Sequence, residues 1–192
     1  FVPAYWNPPS LFNLAQKTGV DIESFIFCFG VAGIVVVSYH LIFPVTLSNV
    51  SSSEKVKPQH KLHRWVLCST PVVFLALYFL TDLNPIYSSS LAVLIGGLFS
   101  LYCRPDLAKK MLVSGFLFLI VYFVYFWSLI LIYPDYMEKV WNLSLLSGII
   151  IWGVPLEELM FAFTTGFFWS SIYEHLRWKR LKHQLHIRKN IN

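Results

Sequence analysis

Long runs of residues without charge dominate this chain of 192 residues and limit what it can fold into. A helix that crosses the hydrocarbon core of a bilayer needs about 20 consecutive apolar residues. Only 13% of the residues are charged, whereas soluble domains average about 25%. This composition disfavours an ordinary soluble domain and excludes a disordered chain, and we expect five transmembrane helices. The uncharged runs span residues 25–45, 65–81, 83–103, 111–134 and 159–173.

The basic residues predict how these helices are oriented. All lysines and arginines except Lys17 and Lys139 follow the first, third or fifth predicted helix, so they share one face of the membrane. The positive-inside rule makes that face cytoplasmic. We therefore expect a multi-pass protein of the cytoplasmic (plasma) membrane, with its basic loops and C-terminus in the cytoplasm. The basic tail is interpreted as a topology signal that also contacts anionic lipid, and not as a nucleic-acid binding segment.

The cysteines and histidines do not form a metal-binding pattern in the sequence. Cys28, Cys68 and Cys103 are odd in number and lack CxxC spacing, which argues against a disulfide framework and against a metal site. His40 and His175 are predicted near the cytoplasmic ends of the first and fifth helices, where we expect them at the membrane interface. The sequence therefore predicts no metal and no cofactor.

Two segments of the chain match each other, which predicts an internal repeat. Each contains Trp-Asn, then a Gly-Val pair 12 or 13 residues later, then an acidic helix start and a phenylalanine. Three other predicted helices separate the copies, so both copies have the same orientation in the membrane. Asp21 is a good N-cap, and Pro155 suits a first helical position. The matched residues include Trp6 with Trp141, Asn7 with Asn142, Glu23 with Glu157, and Phe27 with Phe161.

Three carboxyl groups at these helix starts are the candidates for chemistry: Glu23, Glu157 and Glu158. At a membrane interface, the helix N-terminus stabilises an ionised carboxylate by about 0.3–1 kcal/mol. Helix capping alone would then explain why the three glutamates occur at these positions. In a buried site, desolvation would keep at least one of them neutral and able to protonate an alkene. Aromatic faces would then stabilise the carbocation, by about 2 kcal/mol or more when water is excluded. The sequence leaves both interpretations open.

The chain resembles the lycopene cyclase domain family, the small integral-membrane type found as heterodimeric subunits in bacteria and as fused domains in archaea and fungi. The resemblance extends from Tyr5 to about Trp178. It rests on residues 5–12 (YWNPPSLF), 21–24 (DIES), 103–108 (CRPDLA), 140–144 (VWNLS), 153–158 (GVPLEE) with Phe161, and 173–175 (YEH).

The resemblance implies an all-α integral membrane fold of three-helix repeats, each ending in a helix of the PLEE type. Two parallel repeats would be joined by a linker helix, with five transmembrane helices here and seven in the intact protein. Residues 1–47 would then be the C-terminal part of a truncated first repeat, and residues 83–178 a complete second repeat. Between them, residues 48–82 would form a basic loop and the linker helix, and residues 179–192 a basic cytoplasmic tail.

The activity that the resemblance implies is cyclisation of the linear ends of lycopene or a related carotenoid. This reaction is an isomerisation (intramolecular lyase type) without net redox change. Glu157 or Glu158 would donate the proton, and Glu23 would support them or serve a second site, although its DIES segment departs from PLEE. The implied partners are a carotenoid or other long isoprenoid, membrane lipid, and a second cyclase subunit or another copy of the chain. The implied substrate-binding residues are Trp6, Asn7, Phe27, Trp141, Asn142, Pro155 and Phe161.

Two other functions are consistent with the sequence. The chain could be a non-catalytic membrane protein that binds an isoprenoid, or an accessory subunit of a carotenoid pathway. An intramembrane glutamate protease is disfavoured, because the EExxxR pattern of those enzymes has Ala162 in place of arginine here.

Overall fold

The structure is a computed structural model that describes residues 2 and 4–183, and most of the described chain is helical. The described α-helices are α1 (Leu14–Thr18), α2 (Ile22–Ile42), α3 (Ser52–Lys55), α4 (His63–Val66), α5 (Ser69–Leu80), α6 (Pro85–Cys103), α7 (Ala108–Ile132), α8 (Tyr136–Val140), α9 (Leu156–Trp169) and α10 (Ile172–Leu176). Short 3-10 turns occupy Leu11–Asn13, Pro58–His60, Pro105–Leu107 and Leu143–Leu145. The strands are β1 (Val45–Asn49), β2 (Ile150–Ile151), β3 (Val154–Pro155) and β4 (Lys179–His183).

Three helices of the described chain are long and apolar enough to cross a membrane: Ile22–Ile42, Pro85–Cys103 and the continuous segment Pro105–Ile132. This result indicates membrane association and agrees with the uncharged runs in the sequence. The second and fifth predicted helices correspond to α5 and α9, which are shorter, at 12 and 14 residues. A turn at Ser170 and Ser171 separates α9 from α10.

The helix α9 packs against α6 and α7 and forms the centre of the fold. Its approach to α7 depends on the absence of a side chain at Gly166. A Cβ atom there would lie 2.7 Å from the carbonyl oxygen of Ser114 and 2.8 Å from Cβ of Phe118. Small residues allow membrane helices to approach in this way. The close contact fixes α9, and with it the two glutamates of its first turn.

The start of α9 is set by a tight hairpin between β2 and β3. Trp152 and Gly153 both have positive φ angles, 50° and 89°, as the turn of a two-residue hairpin of type I′ requires. The hairpin leads directly to Pro155, which is the N-cap residue of α9, one position earlier than the sequence predicts. At the matching start of α2, Asp21 is the N-cap as predicted, and its carboxylate accepts the backbone N–H of Ser24.

The three basic segments meet at one end of the helix bundle. The strand β1 follows α2, and it pairs in antiparallel register with β4, from Val45 opposite His183 to Asn49 opposite Lys179. Arg104, at the end of α6, donates a hydrogen bond of 2.6 Å to the carbonyl oxygen of Lys179. The first part of the predicted C-terminal tail is therefore a paired strand, whereas residues 184–192 lie outside the described part.

Candidate functional site

The carboxyl group of Glu158 is buried at the start of α9 and accepts three hydrogen bonds. The Tyr5 hydroxyl and the indole nitrogen of Trp141 donate to Oε1, the latter over 2.7 Å. The Tyr122 hydroxyl, from α7, donates to Oε2 over 2.6 Å. All four side chains are buried. Both oxygens of Glu158 are therefore paired with neutral donors, as buried polar groups must be.

The Tyr5 hydroxyl is a dependable donor in this arrangement. Burial raises the pKa of Tyr5 above its usual range, so the phenol keeps its hydrogen at any physiological pH. The same ring belongs to the core cluster that surrounds the start of α9.

Glu157 is equally buried but has a different set of contacts. Its Oε1 accepts a hydrogen bond of 2.5 Å from the Tyr87 hydroxyl of α6 and another of 2.8 Å from the backbone N–H of Ser147. Its Oε2 has no hydrogen-bond partner among the described residues, although it is buried. Consecutive helical residues point about 100° apart. The two glutamates thus contact different elements. Oε2 of Glu157 has no partner among the described residues and can interact with a bound ligand.

The two Trp-Asn motifs of the predicted repeat lie side by side. Trp6 and Trp141 form an antiparallel bridge, and their rings lie 5.8 Å apart. The backbone N–H of Asn7 donates to Val140, over 2.6 Å, and that of Asn142 donates to Tyr5, over 2.9 Å. This pairing brings Tyr5 and Trp141 to the same oxygen of Glu158.

The side chains of the two asparagines contact their own loops. Gln16 donates to Oδ1 of Asn7 over 3.2 Å, and Ser144 donates to Oδ1 of Asn142 over 2.8 Å. These bonds order the segments that carry Tyr5 and Trp141. A direct role of the asparagines in substrate binding stays a prediction.

Glu23 differs from its counterpart Glu157 in its surroundings. It is exposed, and its carboxylate accepts the backbone N–H of Leu11 over 2.7 Å. Both glutamates therefore accept a backbone N–H from the loop that precedes their helix, which is a local similarity between the matched segments. The described hydrogen bonds of Glu23 do not connect it with Glu158.

An apolar cleft lies between α2, α6 and α9. Phe161, one turn after Glu157, is on its wall, and so is Phe27, the matching residue of α2. Residues at steps of four lie on one face of a helix, so Glu157, Phe161 and Thr165 follow each other along α9. We call this feature the α2–α9 cleft. Its walls are formed by Phe27, Cys28, Val31, Ala32, Val93, Phe161, Thr165 and Trp169.

Three tyrosines that contact the glutamates are not predicted as site residues from the sequence: Tyr5, Tyr87 and Tyr122. A buried tyrosine hydroxyl needs a hydrogen-bond partner. Tyr122 places a hydroxyl group in the middle of a predicted apolar helix, and this polar group is the sequence feature that could have indicated a buried hydrogen-bond partner. Tyr5 was part of the motif that carried the family resemblance, but its role follows only from the contact with Glu158.

The comparisons with known proteins support one family. No curated protein and no solved structure matches the chain. A family model for lycopene cyclase matches residues 84–176, from the N-cap of α6 to the end of α10. The matched part includes Glu157, Glu158, Tyr87, Tyr122 and Trp141. Residues 84–176 of this chain are therefore similar to the lycopene cyclase family.

Proposed function

We propose that the protein is a membrane isomerase that closes the linear end of a carotenoid to a ring by protonating a double bond. The observation that carries this proposal is the position of two buried glutamates, one turn before the apolar α2–α9 cleft. The similarity of residues 84–176 to the lycopene cyclase family supports a carotenoid cyclase-related function.

The depth of the site favours the interpretation as a buried acid over helix capping at the interface. Tyr122, which bonds Glu158, is the fifteenth of the 25 residues of α7. It therefore lies about 15 Å from the C-terminal end of that helix. The hydrocarbon core is about 30 Å thick. We propose that α5 and α9 lie in the membrane together with α2, α6 and α7, so that Glu158 lies within the apolar layer.

We assign the proton donor to Glu157, because its Oε2 is buried and unpaired among the described residues. A proton on Oε2 makes no hydrogen bond with the described residues, so it can be transferred to an alkene carbon. After transfer, the carboxylate is stabilised by Tyr87 and by the backbone N–H of Ser147 at its other oxygen. A positioned general acid of this kind contributes about 10²–10⁴-fold to a rate.

Glu158 has a positioning role in this proposal. With three donors around it, it fixes Tyr5, Trp141 and Tyr122 beside the substrate end group. The aromatic faces of Phe27 and Phe161 line the cleft and would stabilise a carbocation without acting as nucleophiles.

The reaction conserves atoms and electrons. The proton from Glu157 adds to the terminal double bond and leaves a carbocation on the neighbouring carbon. A second double bond of the same chain attacks this cation and forms the carbon–carbon bond of the ring. Loss of a proton from a ring carbon to a carboxylate then creates the ring double bond. The product is an isomer of the substrate, and no redox cofactor takes part.

The test is pigment analysis of a lycopene-accumulating host that expresses the protein. We expect cyclic carotenes, and a decrease of about 10²–10⁴-fold in their formation for Glu157→Gln. Glu138→Gln, at an exposed glutamate of α8, is the matched control and should leave the products unchanged.

Unchanged lycopene, with wild-type protein correctly inserted, would refute the cyclase proposal. If lycopene nevertheless co-purified with the protein, the alternative of an isoprenoid-binding or accessory subunit would be favoured. The same Glu157→Gln substitution would then alter the amount of bound pigment but not its chemical form.

A further inference from the structure

A second buried cluster lies at the end of the bundle where the basic segments meet. It consists of His60, at the end of a 3-10 turn, His63, at the start of α4, and Cys103, the last residue of α6. The Nδ1 atoms of His60 and His63 lie 3.4 Å and 3.3 Å from Sγ of Cys103. All three residues are buried. We call these residues the histidine–cysteine cluster.

The spacing of these atoms fits a tetrahedral zinc site. Zinc binds cysteine sulfur at about 2.3 Å and histidine nitrogen at about 2.0–2.1 Å, which places neighbouring ligand atoms about 3.5 Å apart. The three donor atoms of the cluster all lie within 4.8 Å of one another. Little movement is therefore needed to receive an ion.

The imidazole ring of His63 is oriented so that the lone pair of Nδ1 faces Sγ of Cys103. Its Nε2 lies 2.9 Å from the carbonyl oxygen of His175, a contact in which the nitrogen must donate. In a neutral imidazole the other nitrogen, Nδ1, is then the acceptor. Ligand histidines commonly donate their second N–H to a backbone carbonyl in this way.

Stacking fixes the same ring from both sides. The rings of His63 and His175 are parallel, with centroids 3.9 Å apart, and Trp178 stacks on His63 at 3.6 Å. The contact is reciprocal, because Nε2 of His175 lies 3.0 Å from the carbonyl oxygen of His63. His175 is fully buried within the protein. It thus orients one member of the cluster.

Hydrogen bonding within the cluster leaves it incompletely satisfied. The thiol of Cys103 can donate its one hydrogen to only one of the two imidazole nitrogens that face it. The second nitrogen of His60, Nε2, is buried and has no partner among the described residues. Arg104, the nearby cation, is paired with Asp106 over 2.7 Å and 2.8 Å, which offsets its charge.

We propose that His60, His63 and Cys103 bind a zinc ion, with the fourth coordination position open to the adjoining cleft. Cys103 forms part of the wall of this cleft. Thiolate and imidazole are ligands that suit zinc. The ion would connect the loop after α2 to the end of α6. The cysteine spacing predicts no metal site, and the two histidines lie 43 and 40 residues from Cys103 along the chain.

The test uses the full chain, purified in detergent and freed of metal, with Co²⁺ as a spectroscopic probe for the zinc site. We expect about one equivalent of Co²⁺ per chain and a thiolate-to-cobalt charge-transfer band. Cys103→Ser should abolish the band, and His63→Gln should weaken binding by more than tenfold. Cys68→Ser, at an exposed cysteine, is the control and should keep the band.

A second measurement leaves the three ligands unchanged. In a chain with Cys28→Ser and Cys68→Ser, Zn²⁺ should slow the alkylation of Cys103 by a maleimide by more than tenfold. Mg²⁺ should have no such effect, because it prefers oxygen ligands. Equal binding of Co²⁺ by wild type and Cys103→Ser, or alkylation that Zn²⁺ does not slow, would overturn the proposal. Neither readout depends on cyclase activity.

Discussion

The indole nitrogen of Trp141 donates a hydrogen bond of 2.7 Å to Glu158, 17 residues further along the chain. The backbone of the same tryptophan pairs with Trp6, from the matching motif. Trp141 therefore connects the predicted repeat to the buried carboxyl group. The pairing also explains why Tyr5, next to Trp6, reaches the same oxygen of Glu158. The site depends on the contact between the two motifs as much as on the acidic helix start.

Removal of one donor to Glu158 should weaken both the fold and the reaction. Tyr122→Phe deletes the hydroxyl that bonds Oε2 and leaves that buried oxygen unpaired, which costs about 1–3 kcal/mol. We expect a lower midpoint of thermal unfolding in detergent and less cyclic product in the pigment assay. Tyr125→Phe, at an exposed position of the same helix, should change neither quantity. Equal effects of the two substitutions would contradict the assigned contact.

Glu23 should matter much less than Glu157, although the two residues match in the repeat. Glu23 is exposed, and glutamine can still accept the N–H of Leu11 through its amide oxygen. We expect Glu23→Gln to form cyclic carotenes at close to the wild-type level, as measured by chromatography of the pigments. Loss of half of the rings, with one-ring products accumulating, would instead indicate a second site at Glu23.

Filling the α2–α9 cleft should exclude the substrate without touching the glutamates. Ala32 lies on the wall of the cleft, so Ala32→Trp places an indole ring in the space proposed for the polyene end. We expect cyclic products to fall by at least tenfold. Val37→Trp adds the same ring at an exposed position of α2 and should leave the products unchanged. Normal turnover by a correctly inserted Ala32→Trp protein would place the substrate elsewhere.

The contact between α7 and α9 should not tolerate a methyl group at Gly166. The new Cβ would meet the backbone of Ser114 and the Cβ of Phe118, neither of which can move away easily. We expect Gly166→Ala to destabilise the protein by about 1–3 kcal/mol. Gly33→Ala is the control, since a Cβ there meets open space, and it should be neutral or slightly stabilising. Thermal unfolding of both variants in detergent distinguishes these outcomes.

The helices and their acidic starts could be predicted from the sequence because their signals are local. An uncharged run of 21 residues and an aspartate before it are sufficient to predict α2, with its N-cap at Asp21. In the structure, α5 and α9 are shorter than their uncharged runs, because turns near Cys68 and Ser170 interrupt those runs. The glutamates at the start of α9 were identified as candidates from the sequence.

The sequence by itself determined a chain of apolar helices with acid groups at two of their starts, because hydropathy and capping act between neighbouring residues. The tertiary structure alone decided which residues surround those acids. Tyr5 and Tyr122 lie 153 and 36 residues from Glu158, and His60 and His63 lie 43 and 40 residues from Cys103. Such contacts form only when the helices pack together, and they cannot be predicted from the spacing of residues along the chain.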